Sequence, residues 1–390
     1  MKVLVLLSRI PWPLEKGDKL RAYHHIKIIS QEHEVVLVCL TDSTPHPEAI
    51  EKLSPFCEEI HFIKLSKLGI IWNLATSIFN DKPFQVNYFY QKSAQNKVNR
   101  IVEKHMPRHL FVQLVRTAEY VKKYHVISST FDYMDAFSMG AERRIAKAFP
   151  GIKTLLTIES NRLKKYENYV FNHFTNKTII SKTDRDLIEH PDKNEITLLP
   201  NGVDFETFKK NSNTEKKYDL VFTGNMSYPP NVKAAHYLAE EIIPLLVESN
   251  PNIQLAIAGA DPHPSVKKLT SKNITVTGWM DQITEAYNSS KIFIAPMQIG
   301  TGMQNKILEA MAMEVPCITS SLAAKAIGAT NDSNILIANN AEEYIKHITS
   351  LLDNSQLRDR ISQEGLKFVL QNFDWTNNGK ALLKLISSKN

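Results

Sequence analysis

Short apolar segments alternate with amphipathic or polar segments along the whole chain. The apolar segments are rich in Val, Ile and Leu and have the length of buried strands, whereas the segments between them are predicted to form helices. Strands that are joined by helices pair in parallel, so the pattern predicts an α/β fold built on doubly wound parallel sheets. The predicted strands are Lys2–Leu7, Glu34–Leu40, Glu59–Leu65, Leu110–Val115, Val126–Phe131, Thr178–Ser181, Asp219–Thr223, Gln254–Ala258, Thr275–Thr277, Ile292–Ala295, Cys317–Thr319 and Ile335–Ile337.

The alternation is interrupted once, near the middle of the chain. The segment Pro200–Asp204 (PNGVD) is followed by a polar, lysine-rich stretch without apolar periodicity, and the strand–helix pattern then starts again. A chain of 390 residues is also too long for one compact core. We therefore predict an N-terminal domain in residues 1–204, a linker in 205–217 and a second α/β domain in 218–372. A ligand cleft is expected between the carboxyl ends of their strands.

Charge is distributed unevenly between these domains. Residues 1–205 contain 29 Lys and Arg against 23 Asp and Glu, whereas residues 206–390 contain 18 of each, so the whole net charge of +6 lies in the first half. A basic surface of this kind is either an ordinary solvated face or a surface that attracts an anionic partner, such as a nucleotide or a membrane. Nucleic acid is not expected as a partner, since the sequence has no basic run with interleaved aromatic residues.

Cysteine chemistry, a metal site and a membrane span are not predicted. The three cysteines are scattered, and Cys39 and Cys317 lie in apolar strands, which indicates inert thiols of a reducing compartment. No apolar run reaches the roughly 20 residues of a membrane span, and Met1–Leu7 is too short for a signal peptide. Because the 13 histidines are dispersed, neither a metal nor another cofactor is expected. The expected location is the cytoplasm.

The stretch Ile299–Met313 (IGTGMQNKILEAMAM) lies between two apolar segments that are predicted to be strands. It begins with two glycines and continues with strong helix formers. A helix that begins behind glycines presents free backbone N–H groups and the positive end of its dipole, which suits a phosphate. Lys306 and Glu309 are three residues apart and therefore share a helix face. The pattern alone is also compatible with an ordinary strand–helix turn that carries an intrahelical ion pair.

Four segments, taken in order, resemble one family of enzymes. They are Pro11–Ile26 (PWPLEKGDKLRAYHHI), Leu198–Phe208 (LLPNGVDFETF), Asp219–Ala235 (DLVFTGNMSYPPNVKAA) and Ile299–Met313. The chain resembles the family-four retaining glycosyltransferases, and in particular a subgroup linked to bacterial exopolysaccharide systems. The resemblance implies the GT-B architecture, in which two Rossmann-like domains face each other across a cleft. It also implies that a C-terminal helix, in residues 373–390, returns to the N-terminal domain.

The resemblance further implies a donor site for a nucleoside diphosphate sugar. Glu309 would bind the ribose, because a carboxylate accepts two hydroxyl hydrogen bonds at once. Lys306 would act in catalysis by stabilising the diphosphate leaving group. A solvated turn at Gly17, a helix cap at Asn305 and a core position for Trp279 are open alternatives. The remaining candidates for donor binding are Gly17, Asn225, Trp279, Gly300, Thr301, Gly302, Met303, Gln304 and Asn305.

Two departures from the wider family concern this donor site. Many relatives carry a Glu eight residues before the ribose-binding one, where this chain has Thr301. Many also carry an Arg and a Lys five residues apart, where this chain has Asn225–Pro230 (NMSYPP). A hydroxyl at Thr301 can still donate to the sugar, and Lys306 can replace the missing cation. These departures leave the identity of the sugar open.

The acceptor is expected to bind at strand ends of the N-terminal domain. Arg116 and Asp132 are the candidates for this acceptor side. Asp135 is the second catalytic candidate, because a carboxylate there can assist deprotonation of the acceptor hydroxyl. Helix capping is the alternative for both aspartates.

The stretch Leu68–Phe79 (LGIIWNLATSIF), with Pro83–Tyr90 (PFQVNYFY) after it, is apolar and aromatic and has flanking lysines. Stretches of this kind are mostly core, and we predict a core position. The alternative is an interfacial segment that contacts a bilayer in order to reach a lipid-linked acceptor.

The sequence thus predicts a metal-independent enzyme that moves a hexose-type sugar from a nucleoside diphosphate to a hydroxyl of a glycan or lipid-linked acceptor. The anomeric configuration is expected to be retained, and the product to be a cell-surface polysaccharide. A location on the inner face of the membrane fits the basic first half. Two alternatives share the architecture: a nucleotide-sugar 2-epimerase, and a homologue that binds sugar nucleotides without catalysis. An unrelated two-domain binding protein is a third.

Overall fold

The computed structural model describes residues 1–145, 148–299 and 302–387. The chain forms two compact units, each with its own sheet and core. The first unit comprises Met1–Pro200 and the C-terminal segment that begins at Thr376, and the second comprises Asn201–Trp375.

The first unit is built on a parallel sheet with the strand order β3-β2-β1-β4-β5-β6-β7. The chain moves outward from β1 to β3, returns beside β1 with β4, and then continues to the other edge. The central strands are buried on both faces, which explains why they read as unbroken apolar runs rather than alternating ones. The strands are β1 (Lys2–Leu7), β2 (Glu34–Thr41), β3 (Glu59–Lys64), β4 (His109–Gln113), β5 (Ser128–Asp132), β6 (Asn176–Ile179) and β7 (Thr197–Leu198).

Helices connect the strands of this sheet. The helices of the first unit are α1 (Gly17–Ile29), α2 (Ala49–Leu53), α3 (Lys67–Thr76), α4 (Phe84–Phe89), α5 (Lys92–His105), α6 (Phe137–Ile145), α7 (Pro150–His173), α8 (Lys182–Leu187) and the C-terminal α17 (Trp375–Ser387). Short 3₁₀ turns follow α2 and α3, at Ser54–Phe56 and Ser77–Phe79.

The second unit repeats this plan with a smaller parallel sheet of order β10-β9-β8-β11-β12-β13. Its strands are β8 (Tyr218–Thr223), β9 (Leu255–Ala258), β10 (Ile274–Gly278), β11 (Ser290–Ala295), β12 (Cys317–Thr319) and β13 (Leu336–Ile337). Its helices are α9 (Pro229–Tyr237), α10 (Ile243–Ser249), α11 (Pro264–Lys267), α12 (Thr284–Asn288), α13 (Asn305–Ala312), α14 (Ser321–Ile327), α15 (Ala341–Asp353) and α16 (Ser355–Asn372). The prediction of two doubly wound α/β sheets is therefore confirmed.

The C-terminal helix α17 belongs to the first unit. The side-chain amide of Asn176 donates to the carbonyl oxygen of Leu385 over 2.9 Å. A Cβ on Gly379 would lie only 2.9 Å from a methyl group of Ile28, so glycine lets α17 pack closely against α1. Helix α17 thus packs against the first unit rather than the second.

Two local predictions are wrong. The strand predicted over Leu110–Val115 ends at Gln113, because Leu114 has a left-handed φ of 68° that takes the chain out of the ladder. The core position predicted for Leu68–Phe79 is also wrong. Trp72 is 71% exposed and Phe79 is 85% exposed, while the polar Ser77 is fully buried. This segment turns its apolar side to solvent.

Candidate functional site

The most suitable ligand position in the second unit is the point where its strand order reverses. From β8 the chain moves to β9 and β10 on one side, and it returns with β11 on the other side of β8. The loops that leave β8 and β11 therefore diverge from neighbouring strand ends, which is where open α/β sheets bind ligands. The first loop begins at Gly224, and the second leads into α13.

Helix α13 begins at Asn305 without a side-chain cap, so its first backbone N–H groups are available to an anion. Ile307, Leu308, Ala310 and Met311 are buried and fix one side of the helix against the core. Lys306 and Glu309 are only partly buried and share the other side.

The ammonium group of Lys306 lies in a largely apolar environment. It donates a hydrogen bond to the side-chain oxygen of Asn231, on α9. It also lies 4.8 Å from the ring centroid of Phe222 and 3.8 Å from the sulfur of Met297. Burial lowers the pKa of Lys306 to about 7, although the charge of Glu309 opposes this effect. An anionic ligand at this position would favour the charged ammonium form.

The carboxylate of Glu309 is held in place by a tyrosine that the sequence did not point to. The hydroxyl of Tyr287 donates to Oε2 of Glu309 over 2.9 Å, and it lies 2.7 Å from the hydroxyl of Thr223 at the end of β8. Burial raises the pKa of Glu309, which the hydrogen bond from Tyr287 and the charge of Lys306 counteract. Tyr287 thus fixes the orientation of the carboxylate that is predicted to bind ribose.

Two glycines let the loops after β8 and β9 approach each other. Gly259 has a φ of 137°, and a Cβ there would lie 1.9 Å from the carbonyl oxygen of Gly224. Gly224 itself has a φ of 148°, and a Cβ on it would lie 2.6 Å from the side-chain nitrogen of Asn231. The same nitrogen donates to the carbonyl oxygen of Asn225 over 2.8 Å. Asn231 therefore connects this loop to Lys306, a role that was not predicted.

Several other predicted donor residues have local roles in the structure. The side-chain oxygen of Asn225 accepts from the backbone and the hydroxyl of Ser227, which orders the loop after β8. The amide of Gln304 donates to the carbonyl oxygen of Gly302 over 2.9 Å. Met303 packs against the core of the second unit. The side-chain oxygen of Asn305 is buried and has no hydrogen-bond partner within the described residues.

Trp279 lies at the end of β10, two strands away from β8. It is 63% exposed, so the alternative of a core tryptophan is wrong. It borders an open concavity together with Asp261 and Lys267. The predicted donor residues Gly300 and Thr301 lie outside the described residues.

The first sheet reverses between β1 and β4, and the loops after these two strands carry the predicted donor residue Gly17 and the predicted acceptor-side residue Arg116. Gly17 is the first residue of α1, after the loop that leaves β1, and a Cβ on it would lie 3.2 Å from the end of Met134. Arg116 follows β4 and donates twice to the side-chain oxygen of Gln85, over 3.0 and 2.7 Å. Burial lowers the pKa of Arg116 to about 10.

The prediction that Asp132 contacts the acceptor is wrong. Its carboxylate is fully buried and accepts two hydrogen bonds of 2.8 Å from the guanidinium of Arg21. Thr178 donates a further hydrogen bond of 2.9 Å. Burial alone would raise the pKa of Asp132, but the charge and hydrogen bonds of Arg21 lower it to about 2. The pair also anchors β7, because Arg21 donates to the carbonyl oxygen of Leu199 over 2.7 Å.

Asp135 lies three residues after Asp132 and has a different environment. Its Oδ1 atom is buried without a hydrogen-bond partner in the part of the chain that the structure describes. Burial and the neighbouring carboxylates of Asp184 and Glu167 raise the pKa of Asp135 to about 7. A carboxylate with this pKa exchanges a proton readily near neutral pH, which suits a general acid–base role.

Comparisons with known proteins agree with this architecture. Residues 217–354 match the family model described as glycosyl transferases group 1. The chain is 22% identical over 393 residues to an uncharacterized 44.6 kDa protein in the cps region of Klebsiella pneumoniae, with 96% of each chain covered. It is 24% identical to the capsular polysaccharide biosynthesis glycosyltransferase CapM of Staphylococcus aureus, over 46% of this chain and 52% of CapM. The structure of HepE from Anabaena in complex with UDP and glucose matches with a TM-score of 0.68 at 11% identity, over 99% of each chain.

Proposed function

Because residues 217–354 match the group 1 glycosyl transferases and the chain has the GT-B fold, we propose that it moves a sugar from a nucleoside diphosphate to a hydroxyl of a glycan or lipid-linked acceptor. We further propose that the configuration at the anomeric carbon is retained and that the product is a cell-surface polysaccharide. The relative in a cps region and the capsular glycosyltransferase CapM support the choice of product.

The observation that carries this proposal is the position of Lys306 and Glu309 on one side of α13, at the strand-order reversal of the second unit. Glu309, oriented by Tyr287, accepts hydrogen bonds from the ribose. Lys306 and the N-terminus of α13 bind the diphosphate. The bond between the anomeric carbon and the diphosphate oxygen breaks, and negative charge grows on the diphosphate. Lys306 stabilises that charge more strongly in the transition state than in the bound donor.

The acceptor hydroxyl attacks the anomeric carbon on the face that the diphosphate leaves. Its proton passes to Asp135, whose pKa near 7 lets it accept a proton at neutral pH. Arg116 and Gly17 are proposed to contact the substrates from the first unit. The fold of HepE, whose structure holds UDP and glucose, supports a sugar nucleotide as the donor.

The proposal is tested by incubating the protein with a panel of sugar nucleotides, with and without a lipid-linked glycan. Release of nucleoside diphosphate that depends on the acceptor, together with a lengthened glycan, is the expected result. Interconversion of the sugar without acceptor would instead identify a 2-epimerase. Binding of a sugar nucleotide without any turnover would identify a homologue that has lost catalysis.

The pH dependence of donor binding is expected to report the charge of Lys306. In the free protein the pKa of Lys306 is about 7, so the ammonium group loses its proton above that pH. A bound diphosphate favours the charged form, so binding takes up a proton at higher pH. The dissociation constant for the donor is therefore expected to rise by up to about tenfold per pH unit above pH 7.

Calorimetric titrations from pH 6 to 9 measure this effect, and Lys306→Arg is the matched variant. Its guanidinium stays charged over the whole range, so its profile is expected to be flat. A wild-type profile as flat as that of the variant would remove Lys306 from the diphosphate site.

We also propose that the first unit contacts an anionic membrane surface through the α3 face, which consists of the exposed side chains of Leu68, Ile71, Trp72, Ile78 and Phe79. Their helical spacing places them on one side, facing solvent. Lys64 and Lys67 border the face and are exposed, and they match the negative charge of anionic lipids. No helix among the described residues is long and apolar enough to cross a membrane.

Replacing Trp72 and Phe79 by serine is expected to weaken binding to vesicles of equal parts phosphatidylglycerol and phosphatidylcholine at least tenfold, since about 1.5–3 kcal/mol is lost per buried aromatic side chain. Co-sedimentation measures the bound fraction. The control replaces Leu245 and Leu370, two partly exposed leucines of the second unit, by serine. Equal binding by both double variants, or no binding by the wild type, would contradict a membrane contact at the α3 face.

A further inference from the structure

Three side chains with metal-binding atoms meet at the edge of the first sheet, outside every residue considered so far. Glu59 and His61 lie on the edge strand β3, two positions apart and therefore on the same face. His105 is the last residue of α5, which packs beside that strand. One ligand atom from each side chain lies within 4.8 Å of the other two.

The contacts between these side chains are close but are not hydrogen bonds. Nε2 of His61 lies 3.1 Å from Oε1 of Glu59, and Nε2 of His105 lies 3.0 Å from Oε2. Both nitrogens are nevertheless buried without a hydrogen-bond partner within the described residues. Two ring nitrogens thus point into the same small space as a carboxylate, and neither has the direction needed to donate to it. A cation in that space would satisfy all three groups.

We propose that Glu59, His61 and His105 bind a divalent transition metal ion, with zinc as the best match. Two imidazole nitrogens and a carboxylate oxygen are ligands that zinc prefers. In a tetrahedral zinc site, with bonds of about 2.0–2.1 Å, neighbouring ligand atoms lie roughly 3.4 Å apart. The distances of 3.1 Å from His61 to Oε1 and 3.0 Å from His105 to Oε2 are close to that separation, and a small rotation of the Glu59 carboxylate would bring one oxygen to both imidazoles. A water molecule completes the coordination.

Lys104 competes with the metal for the carboxylate. Its ammonium group donates to both oxygens of Glu59, over 2.9 and 2.7 Å. The side chain of Lys104 is 61% exposed and can move into solvent when a metal binds. An exposed ion pair of this kind contributes little to stability, so its loss is a small cost.

The metal would join the edge strand β3 to the C-terminal end of α5. An edge strand has backbone groups on one side without a strand partner, and proteins commonly protect such edges. The site would therefore stabilise this edge of the fold. All three residues lie in the first unit and none is a candidate substrate contact, so this proposal does not depend on the proposed function.

Equilibrium dialysis against zinc after treatment with a chelator tests the proposal, with the bound metal measured by mass spectrometry. One equivalent of zinc is expected per chain, together with a rise in the melting temperature. His61→Ala and His105→Ala are each expected to weaken zinc binding at least tenfold, whereas His125→Ala, at an exposed histidine, is the matched control and leaves it unchanged. Cobalt is expected to give the visible absorption of a tetrahedral site.

Lys104→Ala distinguishes a metal site from a cluster that is held together by ion pairs alone. Removal of the competing ammonium group is expected to tighten zinc binding and to leave the folded structure intact. Zinc affinity that is the same in wild type, His61→Ala and His105→Ala would overturn the proposal. So would the absence of any zinc-dependent rise in melting temperature in both the wild type and Lys104→Ala.

Discussion

Glu309→Ala is expected to weaken donor binding by at least about 100-fold while leaving the fold intact. The variant removes an acceptor of two ribose hydroxyl hydrogen bonds, and hydrogen bonds to a charged group contribute roughly 1.5–3 kcal/mol each. The fold should persist because Tyr287, which donates to Glu309, keeps the hydroxyl of Thr223 as a partner. Calorimetric titration with nucleoside diphosphates and circular dichroism measure the two effects.

Two further variants sharpen this experiment. Tyr287→Phe keeps the carboxylate but removes the group that orients it, so an intermediate loss of affinity is expected. Glu248→Ala removes an exposed carboxylate from α10 and is the matched control, with unchanged affinity. If Glu309→Ala binds the donor as tightly as Glu248→Ala does, Glu309 does not contact the ribose.

Arg21→Met is expected to lower the free energy of unfolding by about 3–5 kcal/mol, because it leaves the charge of Asp132 buried without its partner. Both oxygens of that carboxylate accept from Arg21 inside the first unit. Chemical denaturation measures the loss. Lys367→Ala, which removes an exposed ion pair with Glu364, is the control and should change the free energy by less than about 0.5 kcal/mol.

The pH dependence of stability follows from the same pair. The pKa of Asp132 is about 2 in the folded protein, against an ordinary value of 3.8 for an aspartate. A pKa that is lower in the folded than in the unfolded state contributes stability above the unfolded value, and this contribution is lost as the pH falls from about 4 towards 2.

The double variant Arg21→Met with Asp132→Leu should recover part of the free energy of unfolding that Arg21→Met loses, because no buried charge remains. A loss below about 1 kcal/mol in Arg21→Met would contradict the structural role of this pair.

The strands were predictable because their signal is local. A strand buried on both faces must be a short apolar run, as in Lys2–Leu7, and the helices between strands follow from the alternation. The end of β4 was not predictable in this way. Leu114 is as apolar as the strand residues before it, and only its left-handed backbone ends the ladder.

The donor site was predictable only in part. The motif around Lys306 and Glu309 pointed to a loop and helix that the structure places at the strand-order reversal of the second unit, because glycines before a helix are a local signal. Tyr287 and Gly259 were missed, since each meets the site through a contact between segments that are distant in sequence. Asn231 lay within a quoted motif, but nothing in its surroundings indicated that it would bind Lys306.

Local sequence also fails to show which distant segment covers a residue. Two examples are the exposed face of Leu68–Phe79 and the buried pair of Asp132 and Arg21. Periodicity shows that a helix has an apolar side, but it does not show whether that side meets the core or the solvent. Similarly, an aspartate after a strand is equally compatible with a substrate contact and with a buried ion pair. Only the position of Arg21, 111 residues earlier, decides between them.

The most direct test of the central claim is a crystal structure of the protein with a bound nucleoside diphosphate sugar. We expect the ribose hydroxyls to lie within hydrogen-bond distance of the Glu309 carboxylate. We also expect the diphosphate to contact Nζ of Lys306 and the first backbone N–H groups of α13. A nucleotide bound elsewhere, with Glu309 and Lys306 contacting no part of it, would contradict the proposed donor site.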